Sequence, residues 1–133
     1  RRSLAFFFAN ILSPIMAKRW PGVPIVPVPF RKEKIRERGW DQIEEIARHL
    51  KKTGWAIAHL LDRLPSKEQK KLSMDERFEN ACTAYQAKKD IQAPQEVILL
   101  DDVFTTGATA HACARALKSI GAIRVHFVSI AAD

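Results

Sequence analysis

The sequence predicts an α/β fold in which helices flank a twisted, mainly parallel sheet. Residues 97–100 form an uninterrupted apolar run, which is typical of a parallel strand buried on both faces. An alanine-rich stretch with helical spacing of apolar residues follows at 109–120, and a second strand-like run follows at 124–131. Strand, helix and strand in this order predict a right-handed βαβ unit, whose ligand site lies at the carboxyl ends of the strands.

Length and composition indicate one domain over residues 1–133. Apolar residues make up 47% of the chain, as is usual for globular proteins. The net charge is +7, from 22 basic and 15 acidic residues, and the excess lies between Arg31 and Arg77. A basic surface suits a polyanion, which here means either a pyrophosphorylated sugar or nucleic acid.

No apolar run approaches the length of a membrane span. Residues 4–16 resemble a signal peptide only superficially, because polar residues and Pro14 interrupt them and no small-residue cleavage site follows. We therefore expect a cytoplasmic protein. The chain does not begin with Met, so we expect it to be a fragment or a trimmed form.

The N-terminal segment predicts an amphipathic helix over residues 3–19, with Ser3 as N-cap and Pro14 as a bend or an end. Its apolar stripe is interpreted as a cover for the core, with a homodimer contact as the alternative. The stripe comprises Leu4, Phe7, Phe8, Ile11, Leu12, Ile15 and Met16. A short strand around Ile25-Val26 follows, because the nearby prolines do not suit a long central strand.

A second helix is predicted from Asp41 to Lys52. Asp41 is a good N-cap, Glu44 completes a capping box, and Gly54 ends the helix. The predicted buried stripe consists of Ile43, Ile46, Ala47 and Leu50. Residues 57–61 are interpreted as a short strand or as a connection to the next loop.

Residues 62–80 are predicted to form a mobile basic loop, partly helical from Ser73. Composition leaves two interpretations open, a solvated loop and a lid that closes over a charged substrate. Residues 81–85 are predicted as an edge strand and 88–95 as a turn. Helix 109–120 should end at Gly121. Its predicted core residues are Ala112, Cys113, Ala116, Leu117 and Ile120.

Cysteine and histidine usage does not favour a metal site. Cys82 and Cys113 belong to no CxxC pair, so both are interpreted as free thiols in a reducing compartment. The histidines show no metal-ligand spacing and are interpreted as structural. They are His49, His59, His111 and His126.

The stretch after strand 97–100 predicts a ligand. A loop between a strand and a helix N-terminus directs backbone N–H groups at an anion, and Gly107 allows close approach. Asp101 and Asp102 suit the hydroxyl groups of a diol, so a 5-phosphorylated ribose fits. The loop has neither a Walker A pattern nor the dinucleotide fingerprint G-x-G-x-x-G.

The run VILLDDVFTTGAT resembles the fingerprint of type I phosphoribosyltransferases. Two further segments, IVPVPF and RERGWDQ, resemble the V-P-V-P-L and R-x-R-G-F-N-Q segments of the ComF/GntX family, some members of which are tied to competence for DNA uptake. The resemblance continues over nearly the whole chain, through Arg63, Gln69, Leu72-Ser73, Arg77, Asn80 and Tyr85. Two departures stand out: Asp41 replaces the usual Asn, and the N-terminal zinc ribbon of many members is absent.

The resemblance implies a phosphoribosyltransferase-like fold with a small hood and flexible-loop region, and a site for phosphoribosyl pyrophosphate. Asp101 and Asp102 would accept hydrogen bonds from the ribose hydroxyls. The 5-phosphate would lie on Thr105, Thr106, Gly107, Ala108 and Thr109, and the pyrophosphate would face Val28, Pro29, Phe30 and Arg31. Weaker candidates for neutralising the leaving group are Arg36, Arg38, Arg63 and Lys67.

The resemblance also implies one Mg²⁺, held mainly by substrate oxygens and in part by the acidic pair. The reaction would displace pyrophosphate at C1 of the ribose by a nitrogen nucleophile, through a transition state like an oxocarbenium ion. No catalytic base is identifiable, and the acceptor stays open. The resemblance thus implies a pentosyltransferase of nucleotide metabolism.

Two other functions stay open at this point. The chain could be a competence accessory that binds single-stranded DNA or a partner protein, with aromatic side chains stacking on bases. The aromatic candidates are Trp20, Trp40, Trp55 and Phe78. It could also sense phosphoribosyl pyrophosphate without turnover.

Overall fold

The computed structural model describes residues 2–30, 41–64, 73, 75–76, 84–104 and 106–132. Within them lie three long helices and five strands. The helices are α1 (Arg2–Arg19), α2 (Gln42–Lys52) and α3 (Ala108–Ser119). The strands are β1 (Ile25–Pro27), β2 (Leu61–Arg63), β3 (Tyr85–Ala87), β4 (Glu96–Phe104) and β5 (Arg124–Ala132).

The main sheet is parallel, with strand order β1-β4-β5 and β4 at its centre. Pro27 pairs with Leu100, and Leu100 pairs with Val128, so the carboxyl ends of all three strands meet at one edge. The strand–helix–strand unit β4-α3-β5 is the one that the sequence predicts. The mainly parallel sheet with flanking helices is thereby confirmed.

Side-chain alternation along the strands divides the core into two halves. Ile98 and Leu100 lie in one cluster with the buried stripe of α2 and with Met16 of α1. Val97 and Leu99 lie in the other with Cys113 and Leu117 of α3. Helices therefore cover both faces of the sheet, which explains why β4 needs an unbroken apolar run.

A small antiparallel sheet, β2-β3, packs against α3. Its register places Arg63 opposite Tyr85. Both strands begin later in the chain than expected: β2 starts at Leu61, and Ile57 makes only an isolated bridge to Ile25. The predicted loop over residues 62–80 is shortened at its start, because 62 and 63 belong to β2, and most of its remainder lies outside the described residues.

The ends of α2 follow the predicted capping in most respects. The Asp41 side chain accepts hydrogen bonds from the N–H groups of Ile43 and Glu44, at 3.0 and 3.2 Å. The Glu44 carboxylate, however, contacts the His59 ring at 3.0 Å. Glu44 therefore pairs with a residue outside the helix and does not complete the predicted capping box. Gly54 ends the helix with φ 108°.

Helix α1 differs from its prediction at both marked residues. It begins at Arg2, so Ser3 lies inside the helix and is not its N-cap, and it continues through Pro14 to Arg19. Only part of the apolar stripe covers the core: Met16 is buried, whereas Phe7 and Ile15 are 55% and 52% exposed. No helix in the described ranges is long and apolar enough to cross a membrane.

Candidate functional site

Three chain segments meet at the carboxyl edge of the main sheet. The segment after β1 is tied to β4, because the Val28 N–H donates to the Leu100 carbonyl at 2.9 Å. The strand β4 itself runs through the acidic pair to Phe104, so Asp101 and Asp102 are strand residues rather than loop residues. The loop to α3 follows directly.

The loop before α3 has the geometry that an anion site needs. Gly107 is the N-cap, with φ 84° in the left-handed region that favours glycine. The first turn of α3 contains no acidic residue, and its N–H groups have no intrahelical acceptor. The Thr106 hydroxyl accepts the Ala108 N–H at 3.3 Å. Thr109, half-buried in that first turn, completes the described part of the predicted phosphate loop.

The two adjacent aspartates leave the strand on opposite faces, because successive strand residues alternate, but their carboxyl groups stay close enough for Asp102 to contribute to the raised pKa of Asp101. Asp101 is 8% exposed and faces the half of the core that contains Tyr85 and Cys113. Its Oδ1 accepts the Asp102 N–H at 2.8 Å. Burial raises the pKa of Asp101 to about 7, although the nearby Arg63 favours the ionised form. Asp101 is therefore only partly ionised near neutral pH.

Asp102 faces the other side, toward the start of α2, and is half-buried. There it lies close enough to Asp41 for the two carboxylates to repel each other. Burial and this repulsion both contribute to a raised pKa of Asp41. Asp102 is thus the more accessible member of the pair, and the proximity of Asp41 is a feature that the sequence did not predict.

Arg63 lies at the site, although it is distant in sequence from the other candidates. Its Nη1 donates to the Tyr85 hydroxyl at 2.5 Å, and its guanidinium lies over the Tyr85 ring. The Thr109 side chain of the predicted phosphate loop lies near the same hydroxyl, whose pKa is raised mainly by burial. The only sequence signal for Tyr85 was its aromatic place in the family pattern, and nothing in the chain's local patterning marked it as part of a site.

The structure describes some of the remaining predicted site residues and not others. Val28 is buried, and Pro29 and Phe30 are half-buried beside the end of β4. The other predicted residues lie outside the described ranges, so their roles stay predictions. They are Arg31, Arg36, Arg38, Lys67 and Thr105.

Cys113 and His126 make contacts away from the acidic pair's solvent-facing side, and the structural role predicted for the other histidines stays a prediction. Cys113 is fully buried, and burial raises the pKa of its thiol to about 12. His126 pairs with Glu96 at 2.5 Å and stacks on Trp20, at the amino end of the sheet and away from the site. Cys82 lies outside the described residues.

Two curated proteins are similar to the chain. The competence protein ComFC of Bacillus subtilis is 36% identical over 97 residues, which is 73% of this chain and 39% of that protein. The ComFC of Streptococcus pneumoniae is 28% identical over 125 residues, 92% of this chain and 54% of that protein. The chain belongs to the ComF family. It spans about half the length of these relatives or less, and no protein-family model matches it.

Solved structures show the fold of this ComF-family chain. An adenine phosphoribosyltransferase from Saccharomyces cerevisiae superimposes with a TM-score of 0.58 at 14% identity, covering 100% of this chain and 70% of that one. A hypoxanthine phosphoribosyltransferase from Staphylococcus aureus gives 0.56 at 16% identity, covering 100% and 65%. The type I phosphoribosyltransferase fold predicted from the sequence is confirmed.

The acidic residues of this ComF-family chain suit a metal shared with a substrate. Among the described residues, no group of three or more His, Cys, Asp or Glu side chains could hold a metal by itself. Mg²⁺ needs only one or two carboxylates when phosphate oxygens supply the other ligands. Asp102, half-buried at the strand end, meets that requirement better than the buried Asp101.

Proposed function

We propose that the chain binds phosphoribosyl pyrophosphate with Mg²⁺ and transfers the phosphoribosyl group to a nitrogen acceptor, releasing pyrophosphate. One observation supports this most: an open helix N-terminus with Gly107 as its cap directly follows a strand that ends in two carboxylates. A phosphate suits the first feature and sugar hydroxyls suit the second.

Each described segment has a proposed role. The 5-phosphate accepts hydrogen bonds from the first-turn amides of α3 and from the side chains of Thr106 and Thr109. Asp102 accepts a ribose hydroxyl, and the buried Asp101 orders the strand end through its bond to the Asp102 N–H. The segment after β1, residues 28–30, faces the pyrophosphate, and the same role for Arg31 stays a prediction. Bound Mg²⁺ would neutralise charge that develops on the pyrophosphate as it leaves.

Catalysis in this proposal comes from position and charge. The bond from C1 of the ribose to pyrophosphate breaks as the bond to the acceptor nitrogen forms, so no covalent intermediate with the protein is needed. Fixed donors around the pyrophosphate stabilise the charge that it gains. The acceptor itself stays open, as does the homodimer contact considered as the alternative role of the α1 stripe.

Calorimetric titration with phosphoribosyl pyrophosphate and Mg²⁺ tests the binding. We expect saturable binding to the wild type, and a loss of about tenfold or more in Asp102→Asn, because a neutral amide lacks the charge that attracts Mg²⁺. Asp62→Asn, which removes an exposed carboxylate from β2, is the control for net charge. A wild type that does not bind contradicts the proposal. Pyrophosphate release with a panel of nitrogen acceptors then separates catalysis from sensing.

A second candidate function is a competence accessory that binds single-stranded DNA. Two observations favour it: both curated relatives are named competence proteins, and the net charge is +7. The aromatic candidates support it less, since Trp20 stacks on His126 and Trp55 donates its indole N–H to Ser13. Trp40 and Phe78 lie outside the described residues. DNA binding that depends steeply on salt and ignores Asp102→Asn would favour this function.

A further inference from the structure

Tyr85 lies where the small sheet meets the phosphate loop. It pairs in register with Arg63 at the end of the β2-β3 ladder, and β3 packs on α3. Its side chain is only 8% exposed. A tyrosine buried to this degree needs a partner for its hydroxyl, and the side chains near this hydroxyl come from two different elements.

One partner is Arg63, whose Nη1 donates to the hydroxyl at 2.5 Å, while its guanidinium carbon lies 5.1 Å from the ring centroid. The Thr109 side chain, in the first turn of α3, lies near the same hydroxyl. A guanidinium has five N–H donors in a rigid fork, so a single bond to Tyr85 fixes its direction and leaves most donors for other acceptors. The small sheet that carries Arg63 packs on α3, whose N-terminus suits an anion.

The buried carboxylate of Asp101 competes for the same cation. Arg63 and Asp101 attract each other, and Asp101 lies in the same half of the core as Tyr85. Without the tyrosine hydroxyl, the guanidinium would be free to turn toward this carboxylate and away from a phosphate.

We propose that Tyr85 is a positioning residue whose hydroxyl directs Arg63 and Thr109 toward one bound phosphate group. The identity of the ligand, a 5-phosphorylated ribose, rests on the function proposed above. The contact between Tyr85 and Arg63 does not, because it is a feature of the structure itself.

Ribose 5-phosphate is the probe that tests the positioning role. We expect Tyr85→Phe to weaken its binding about tenfold to a hundredfold, the usual effect of losing a hydrogen bond to a charged group. Thr109→Val should weaken binding by a similar factor, and Thr109→Ser, which restores a hydroxyl, should recover it. Gln86→Ala, at the exposed neighbouring position on β3, is the matched control and should bind as the wild type does.

A double variant separates positioning from a general loss of structure. If the hydroxyl acts through the guanidinium, then adding Tyr85→Phe to Arg63→Met should weaken binding much less than Tyr85→Phe does alone. Thermal unfolding of each variant checks that the fold is kept, since Phe retains the ring and its packing.

The outcomes distinguish this inference from the proposed function. Wild-type affinity in Tyr85→Phe, or full additivity in the double variant, overturns the positioning role. A wild type that binds ribose 5-phosphate but not phosphoribosyl pyrophosphate overturns the proposed function, while the variants still test Tyr85. A wild type that binds neither ligand overturns both.

Discussion

At the scale of single residues, Asp101 and Asp102 differ more than their adjacency suggests. The sequence presents them as an equivalent pair, and a pair on a loop could serve two hydroxyls together. Because they belong to β4, one is buried against α3 and the small sheet, and the other faces the start of α2. Strand alternation assigns them different surroundings and therefore different chemistry.

The burial of Asp101 predicts a pH-dependent stability. Its pKa is about 7 in the folded protein against an ordinary 3.8, so between these values the folded state binds more protons than the unfolded chain. The free energy of unfolding therefore falls as pH rises through this window. Asp101→Asn removes the charge and keeps an acceptor for the Asp102 N–H, so we expect it to stabilise the protein by roughly 1–3 kcal/mol at pH 8.

Urea denaturation at several pH values measures this effect. Below about pH 3 the stability difference between Asp101→Asn and the wild type should nearly vanish, because Asp101 is then protonated in both folded and unfolded chains. Asp62→Asn controls for the loss of one exposed negative charge. A stability difference that is the same at pH 4 and pH 8 contradicts the assigned burial effect.

Gly107 carries a second prediction at this scale. Its φ of 84° makes any L side chain strained, while the added Cβ would meet Phe104 only at an ordinary 3.4 Å. We expect Gly107→Ala to lower the free energy of unfolding by about 1–2 kcal/mol and to weaken ribose 5-phosphate binding, since the loop amides would shift. Gly54→Ala, with φ 108° and no neighbour within 4 Å, is the matched control for strain alone. Equal binding in both variants would argue against a phosphate on this loop.

At the scale of elements, α2 is the clearest case of local sequence determining structure. Its four predicted core residues, Ile43, Ile46, Ala47 and Leu50, are all buried. The Asp41 cap forms as expected, because a short acceptor at that position satisfies N–H groups that the helix leaves open. What local reasoning could not show is that β4 brings Asp102 close to this cap.

That proximity predicts a difference between two substitutions at Asp41. Asp41→Ala removes the acceptor of two N–H groups and should lower the free energy of unfolding by about 1 kcal/mol. Asp41→Asn keeps the acceptor and removes the repulsion with Asp102, so we expect stability at least equal to that of the wild type at pH 7. Chemical denaturation of the two variants side by side checks this. If Asp41→Asn lowers stability as much as Asp41→Ala does, then the side-chain oxygen at position 41 does not stabilise the helix by accepting these hydrogen bonds.

Strand β4 and helix α1 differ from what their local sequence patterns predicted. Strand β4 was predicted to end at Leu100, but it continues to Phe104, because pairing with β5 extends as far as Ala132. Such pairing is a long-range contact that no local window contains. In α1, spacing predicted one apolar stripe, yet Phe7 and Ile15 are exposed, since only one side of the helix meets α2 and the sheet. A repeat of 3.6 residues marks an apolar face without showing which part of it is covered.

At the scale of the whole molecule, the order of segments along the chain already predicted the edge at which the site lies. The long run at residues 97–100, the loop with Gly107 and the helix behind it belong together in sequence, so their junction was predictable. Arg63 and Tyr85 reach the same junction from a separate small sheet. Their place depends on how that sheet packs on α3, which the sequence does not encode locally.

The central claim is that the loop before α3 binds the phosphate of a phosphorylated ribose, and amide chemical-shift mapping tests it most directly. On addition of ribose 5-phosphate to ¹⁵N-labelled protein, we predict the largest shifts at the amides of residues 106–110. Free ribose at the same concentration should leave them unchanged. The claim would be contradicted if residues 106–110 showed no saturable shifts. It would also be contradicted if the shifts were confined to the basic region between Arg31 and Arg77.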